Sequence, residues 1–131
     1  MIDDDLPHVI MGACMEVHRS LGPGWDDFAY RAALSRELKH REIFFKTEVP
    51  VAVLYKGERI DSAAKVDFLI EKKIVVLVFA TDTLTPLHKE RLTSYLRHGG
   101  WASGFIINFN SPDLREGVKR VVVRPAEEKQ G

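Results

Sequence analysis

The stretch from Asp67 to Ala80, DFLIEKKIVVLVFA, decides the fold. It reads as two strands joined by the short charged turn Glu71-Lys72-Lys73. The second strand, Ile74 to Ala80, is a run of apolar residues with no polar side chain on either face. Such a run belongs in the middle of a sheet covered on both sides. Upstream, Val49, Val51, Val53 and Tyr55 alternate at strand spacing, with Pro50 marking an edge position or a strand start. Lys56-Gly57 marks a turn, and the next strand is expected from about Ala63 to Ile70. Three strands joined by short turns should be antiparallel neighbours.

The flanking segments change period. Leu6, Val9, Ile10, Ala13, Val17 and Leu21 recur at helical spacing, and Gly22-Pro23-Gly24 ends that helix. Asp3 to Asp5 place negative charge where the helix dipole favours it, and Pro7 is tolerated in the first turn. A second helix is expected from about Asp26 to His40, capped by Asp26 or Asp27, with Phe28, Ala32 and Leu38 facing the core. A third starts near Thr85 or Pro86 and runs to about His98, with Leu87, Leu92, Tyr95 and Leu96 on its apolar side. Gly99-Gly100 ends it. Trp101 to Phe109 reads as a strand parallel to the buried one, reached through a right-handed crossover. Val118 to Val123 reads as a last short strand, and 126–131 as a polar tail. The order is helix, helix, three strands, helix, strand, strand. It predicts a single α/β domain, a mixed β-sheet flanked by helices.

Composition sets bounds on function. The chain has 131 residues, enough for one domain and too few for two. Nineteen basic residues balance nineteen acidic ones. A protein that coats nucleic acid through phosphate contacts usually carries a basic excess, so the balance argues against that role while leaving room for a local basic groove. Cys14 is the one cysteine, which excludes an intramolecular disulfide and fits a reducing compartment. It is expected as buried filler on the first helix. The beginning, MIDDDLP, lacks signal-peptide order, and no apolar run approaches membrane-spanning length. A cytoplasmic location is expected.

Several motifs occur in order. Glu16-Val17-His18-Arg19-Ser20-Leu21-Gly22-Pro23-Gly24 is followed by Gly24, Asp27 and Tyr30 at a G-x2-D-x2-Y spacing. Then come Val66-Asp67-Phe68-Leu69, Leu84-Thr85-Pro86-Leu87-His88, Tyr95-Leu96 and Ile107-Asn108-Phe109. Together they resemble the GxxExxY family, a bacterial branch of the PD-(D/E)XK nuclease superfamily, over about Val9 to Val123. The resemblance implies a restriction-endonuclease-like sandwich with Asp67 as the first catalytic acid. It implies phosphodiester hydrolysis with Mg²⁺ held by carboxylates and a lysine that orients water.

The departures bear on chemistry. The family reads approximately VELKA where this chain has Val76-Leu77-Val78-Phe79-Ala80. Leu77 therefore stands at the Glu position and Phe79 at the Lys position. Arg91 stands where a Gln often follows the motif's His. Residues i and i+2 of a strand share a side, so Leu77 and Phe79 are expected together, dehydrating the cleft. Neither can bind a metal, move a proton or hold a phosphate. The resulting expectation is a catalytically inactive nuclease fold that acts by binding, with no cofactor. The alternative is a Mg²⁺-dependent DNA endonuclease or exonuclease with migrated residues. There Glu16 and Asp67 would hold the metal, and Lys65, two residues before Asp67, would supply the positive charge. Glu71 and Asp82 lie near the ends of the buried strand.

Other residues carry weaker signals. His18 and His88 are expected to make structural hydrogen bonds, Asp27 and Tyr30 to cap and pack, and Tyr95 to be half-core with its hydroxyl at the rim. Trp25 and Trp101 read as packing residues more readily than as base-stacking ones. Lys89, Arg91 and Arg97 on the third helix, with Lys119, Arg120 and Arg124 later, form a solvated face or a phosphate track. His18, His88, Lys89 and Tyr95 are thus the rim candidates for nucleic acid. The partners left open are nucleic acid and a second copy of the chain.

Overall fold

The apolar run does form the central strand. The computed structural model describes residues 5–124, so Asp3, Asp4 and the expected tail at 126–131 lie outside the described residues. The elements are α1 (Leu6–Leu21), α2 (Asp27–His40), β1 (Phe45–Pro50), β2 (Val53–Tyr55), β3 (Glu58–Ile60), β4 (Lys65–Ile70), β5 (Ile74–Phe79), α3 (Pro86–Gly99), β6 (Ser103–Asn108), a short 3-10 turn (Leu114–Gly117) and β7 (Val118–Val122). The main sheet has the spatial order β1-β4-β5-β6-β7. β5 is parallel to β6, from Ile74↔Ser103 to Phe79↔Asn108, and the other neighbours are antiparallel.

Helices cover both faces. Ile74, Val76 and Val78 pack with Ile10, Cys14, Val17, Tyr30 and Leu34 from α1 and α2. Val75 and Leu77 point the other way and pack with Leu92 and Leu96 of α3. This alternation explains why β5 carries no polar residue: each face of the strand meets a helix. Cys14 is fully buried, and burial pushes its thiol up to about 12, so it is packing material and not a nucleophile.

The strand boundaries differ from the sequence expectation at one place. Val49 to Tyr55 is not one strand. β1 starts earlier, at Phe45, and stops at Pro50, an edge-strand position, with one further bond from the Val51 N–H to the Ala64 carbonyl at 2.9 Å. Lys56 and Gly57 both adopt positive φ, 49° and 80°. That two-residue geometry folds the chain straight back, so β2 pairs with Glu58–Ile60 in a separate two-stranded sheet. β3 was not expected, and β1 with β4 forms the antiparallel pair of the main sheet.

Two expected core residues are also exposed. Phe28 and Leu87 both face solvent. The buried line of α2 is Tyr30, Leu34 and Leu38, and Phe28 lies two residues off it, on the far side of the helix. Leu87 lies similarly off the Leu92–Leu96 line of α3. The caps follow expectation. The Asp26 side chain accepts from the Ala29 N–H at 2.8 Å. Thr85 caps α3, and its own N–H is taken by His88 Nδ1 at 2.9 Å. Asp5 flanks α1, but its side chain makes no capping bond.

Candidate functional site

The site is built where the sheet comes apart. The β4–β5 ladder ends at Phe68↔Val76, yet β5 continues to Phe79 alongside β6. Val78 therefore has no strand partner on its β4 side. The Asp67 carboxylate takes that place, with Oδ2 accepting the Val78 N–H at 2.7 Å.

The cause is a coordinated turn of two strands. Thr47↔Phe68 and Val49↔Val66 stay in one register, so nothing is inserted between them. Even so, Phe68 belongs to the α1/α2 side of the core, and Val66 and Val49 to the α3 side. Residues two apart should share a face. Glu48 and Asp67 lie at the changeover, and Glu48 has φ +52°, a conformation that costs a non-glycine residue about 1–2 kcal/mol. Backbone strain of this kind is concentrated at functional sites.

A cleft of about 440 Å³ opens here, lined by Phe28, Arg31, Ala32 and Ser35 of α2, Thr47 and Glu48 of β1, and Lys65, Asp67 and Phe68 of β4. Lys65 Nζ lies 3.7 Å from Glu48 Oε1, and Arg31 pairs with Asp27 at 2.7 Å. Burial pushes the Asp67 carboxyl above the usual Asp value, against the opposing pull of the Val78 N–H and Arg31. Asp27 and Glu48 push the same way as burial.

Because burial raises this pKa in the folded chain, the native state holds the proton to higher pH than the unfolded state does. Asp67 therefore favours folding most below its unfolded value. That contribution falls as pH rises through the raised value, and is flat beyond it. Asp67→Asn keeps an acceptor for the Val78 N–H and removes the buried charge. Its stability relative to the parent chain is expected to improve as pH rises from the unfolded Asp value, about 4, through the raised one, read by urea unfolding at each pH. Asp67→Ala orphans the N–H, at about 1–3 kcal/mol. A parent-minus-Asn difference that does not move with pH refutes this account.

The residues expected to gather with Asp67 are only partly brought together. Lys65 shares its cleft. Glu16 does not: it lies on α1, held by Arg19 at 2.6 Å and Ser20 at 3.2 Å, and lines a different surface pocket with His18, Asp113 and Arg115. Arg19 holds the Glu16 carboxyl below the usual Glu value. The Glu16–Lys65–Asp67 convergence that the migrated-residue alternative required is not what the fold builds, because Glu16 lines a different pocket from the α2-side cleft.

Leu77 and Phe79 do share a side, as their spacing required, but not beside Asp67. Leu77 is 3% exposed in the α3-side core, and Phe79 packs against that cluster. The Phe79 ring meets His88 edge-on at 4.8 Å, and Arg91 lies over it at 5.9 Å. Neither lines the Asp67 cleft. The half-turn at Glu48 and Asp67 carries Asp67 to one side of the sheet while β5 keeps its own alternation. Among the described residues, no group of three or more His, Cys, Asp or Glu side chains could hold a metal ion. Asp27, Glu48 and Asp67 are each engaged by Arg31, Lys65 and Val78 respectively. This donor set does not fit the Mg²⁺ centre that the family resemblance implies.

The remaining candidates are placed as follows. His18 Nε2–H donates to the Ser111 carbonyl at 2.8 Å, and His88 serves as the cap described above. Tyr30 is fully buried, stacks on Phe109 at 4.8 Å, and donates its hydroxyl to the Gly22 carbonyl at 2.6 Å. Trp25 N–H donates to that same hydroxyl, and Gly24 N–H to Asn110 Oδ1. Tyr95 and Trp101 are half-buried against the α3-side core, and Trp25 is exposed with its indole N–H on the Leu21 carbonyl. Lys89 and Lys119 line one pocket at the start of α3. Arg120 lies over Phe105. Glu71 Oε2 accepts the Phe44 N–H, and Asp82 faces the pocket shared by Asn108, Glu116 and Lys119. Asn108 is a buried polar residue that exchanges two hydrogen bonds with the Thr81 backbone, so it holds the exit from β5.

Sequence reasoning missed Glu48, Arg31 and Phe28 as cleft residues. Arg31 carried a signal, since it follows Asp27 by four on a helix. Glu48 carried none, because its role depends on a backbone reversal.

Mixed sheet, helices on both faces and an acid at the strand split define an α/β sandwich of the restriction-endonuclease type. The model of the PD-(D/E)XK nuclease superfamily matches residues 4–121. The chain belongs to that superfamily. Comparison with curated proteins and with solved structures gives no match. No helix among the described residues is long and apolar enough to cross a membrane.

Proposed function

We propose that this chain is a non-catalytic member of the superfamily, of the bacterial GxxExxY branch and at work in the cytoplasm. It acts by binding a partner protein, another copy of itself or nucleic acid. The observation that carries this is the fate of the two motif positions on β5. Leu77 is a core residue, and Phe79 packs beside it under His88 and Arg91. Two groups that hydrolysis needs have become packing surface on the α3 side. The branch assignment rests on the run Glu16 to Gly24 and on Gly24, Asp27 and Tyr30, with Asp in the place of Glu.

A second reading, a Mg²⁺-dependent nuclease with migrated residues, draws on the cleft that gathers Asp67, Glu48 and Lys65. The two readings separate in one assay. Purified protein with Mg²⁺ or Mn²⁺ is expected to leave supercoiled plasmid and single-stranded DNA intact. Metal-dependent cutting that disappears in Asp67→Asn would establish the second reading and end the first. Loss of even one such group usually removes several kcal/mol of transition-state stabilisation, orders of magnitude in rate, so the chain is expected to cut no faster than background.

A further inference from the structure

The small β2–β3 sheet presents an unpaired edge. β3 is exposed along its whole length, and within this sheet its one neighbour is β2. Leu54, Tyr55 and Ile60 of this hairpin are exposed large apolar side chains. A lone two-stranded hairpin is marginally stable in water, and an uncovered edge is a template for another strand.

The polarity of that edge follows from one bond. Leu54 N–H donates to His98 Nδ1 at 3.1 Å, so it points away from β3. Leu54 and its partner Arg59 are therefore the non-hydrogen-bonded pair. Arg59 then turns its own N–H and C=O to the open side, and Asp61, one residue past the end of β3, does the same where the added strand extends the alternation. A strand added here must set outward residues against outward residues.

A second copy can do this about a two-fold axis in few ways. Centring the axis on Glu58, Arg59 or Asp61 opposes like charges. Centring it on Ile60 sets Arg59 against the partner's Asp61, and Asp61 against the partner's Arg59. Ile60 then meets its own copy. Arg59 and Asp61 are 72% and 88% exposed and pair with each other at 3.2 Å within one chain, a solvent-exposed bond that the reciprocal arrangement exchanges for two across the axis. Ile60 is 48% exposed and would lose that exposure.

We propose that β3 is a self-association edge, joining two copies antiparallel about Ile60 into a four-stranded sheet with reciprocal Arg59–Asp61 pairs. This supplies one partner for the binding role proposed above, and it stands whether or not the Asp67 cleft cuts nucleic acid.

Charge reversal tests it by sedimentation velocity over a concentration series. Arg59→Asp and Asp61→Arg are each expected to weaken dimerisation about tenfold or more, and the double reversal to restore it. Ile60→Cys is expected to form a disulfide-linked dimer on mild oxidation, since facing non-hydrogen-bonded residues lie about 4.5 Å apart at Cα, within disulfide range. Cys14 is buried and contributes no background. These variants alter exposed positions, so the fold should survive, as circular dichroism can check. A parent chain that stays monomeric at every concentration overturns the proposal. So does a dimer that is indifferent to the reversals and fails to cross-link at position 60.

Discussion

Leu77→Glu is expected to unfold the domain or to weaken it beyond the loss in Leu77→Ala. The alanine change alone removes a buried side chain from the cluster with Leu92 and Leu96, at about 2–5 kcal/mol. Glutamate adds a carboxylate to the same apolar site, and the α3 side offers it Leu92, Leu96, Ile106 and Val75. Chemical denaturation measures both. The double change Leu77→Glu/Phe79→Lys restores the family's motif on paper. It is expected to restore no metal-dependent cutting, because positions 77 and 79 face α3 while Asp67 opens toward α2. A folded double variant that nicks plasmid in Mg²⁺ would show that the α3-side core re-forms easily into a site.

Tyr30→Ala is expected to be nearly as severe, at about 3–5 kcal/mol, and Tyr30→Phe to cost about 1 kcal/mol. The ring is fully buried and stacked on Phe109, with planes 10° apart. The hydroxyl joins the Gly22 carbonyl to the Trp25 N–H, across the turn between α1 and α2. Tyr30 thus sets where α2 begins, and α2 supplies Phe28, Arg31, Ala32 and Ser35 to the cleft. Equal stability of the Phe and parent chains would show that the hydroxyl positions nothing. A full loss in the Phe variant would move the main contribution from the ring to the hydroxyl.

The scaffold was largely readable because its signals are local. The helical spacing of Leu6, Ile10, Ala13 and Val17 placed α1, and the Gly22-Pro23-Gly24 stop follows directly on its last residue, Leu21. Asp26 and Thr85 named their helices' first turns through short-range hydrogen bonds. The cleft was hard to read for the opposite reason. Spacing rules treat a strand as an unbroken alternation; they put Leu77 with Phe79, and the family resemblance implied that Asp67 shares their cleft. One positive φ at Glu48, met by Asp67 across the ladder, breaks that rule for two strands at once. Phe28 was misread as core for a smaller reason: on α2 the buried stripe is one residue wide at each turn, and the helix's own pattern does not say which side meets the sheet.

By itself, the sequence determined the class of fold, the order of elements, the buried middle strand and the absence of Glu and Lys from β5. All of these depend on residue type or on contacts a few positions apart. Only the tertiary structure decided that Asp67 faces α2, that Glu16 stands elsewhere, and that Glu58–Ile60 forms an open edge. Each of those depends on how distant strands and helices meet. A side chain's surroundings in a folded chain are set by that meeting, which neighbouring residues do not encode.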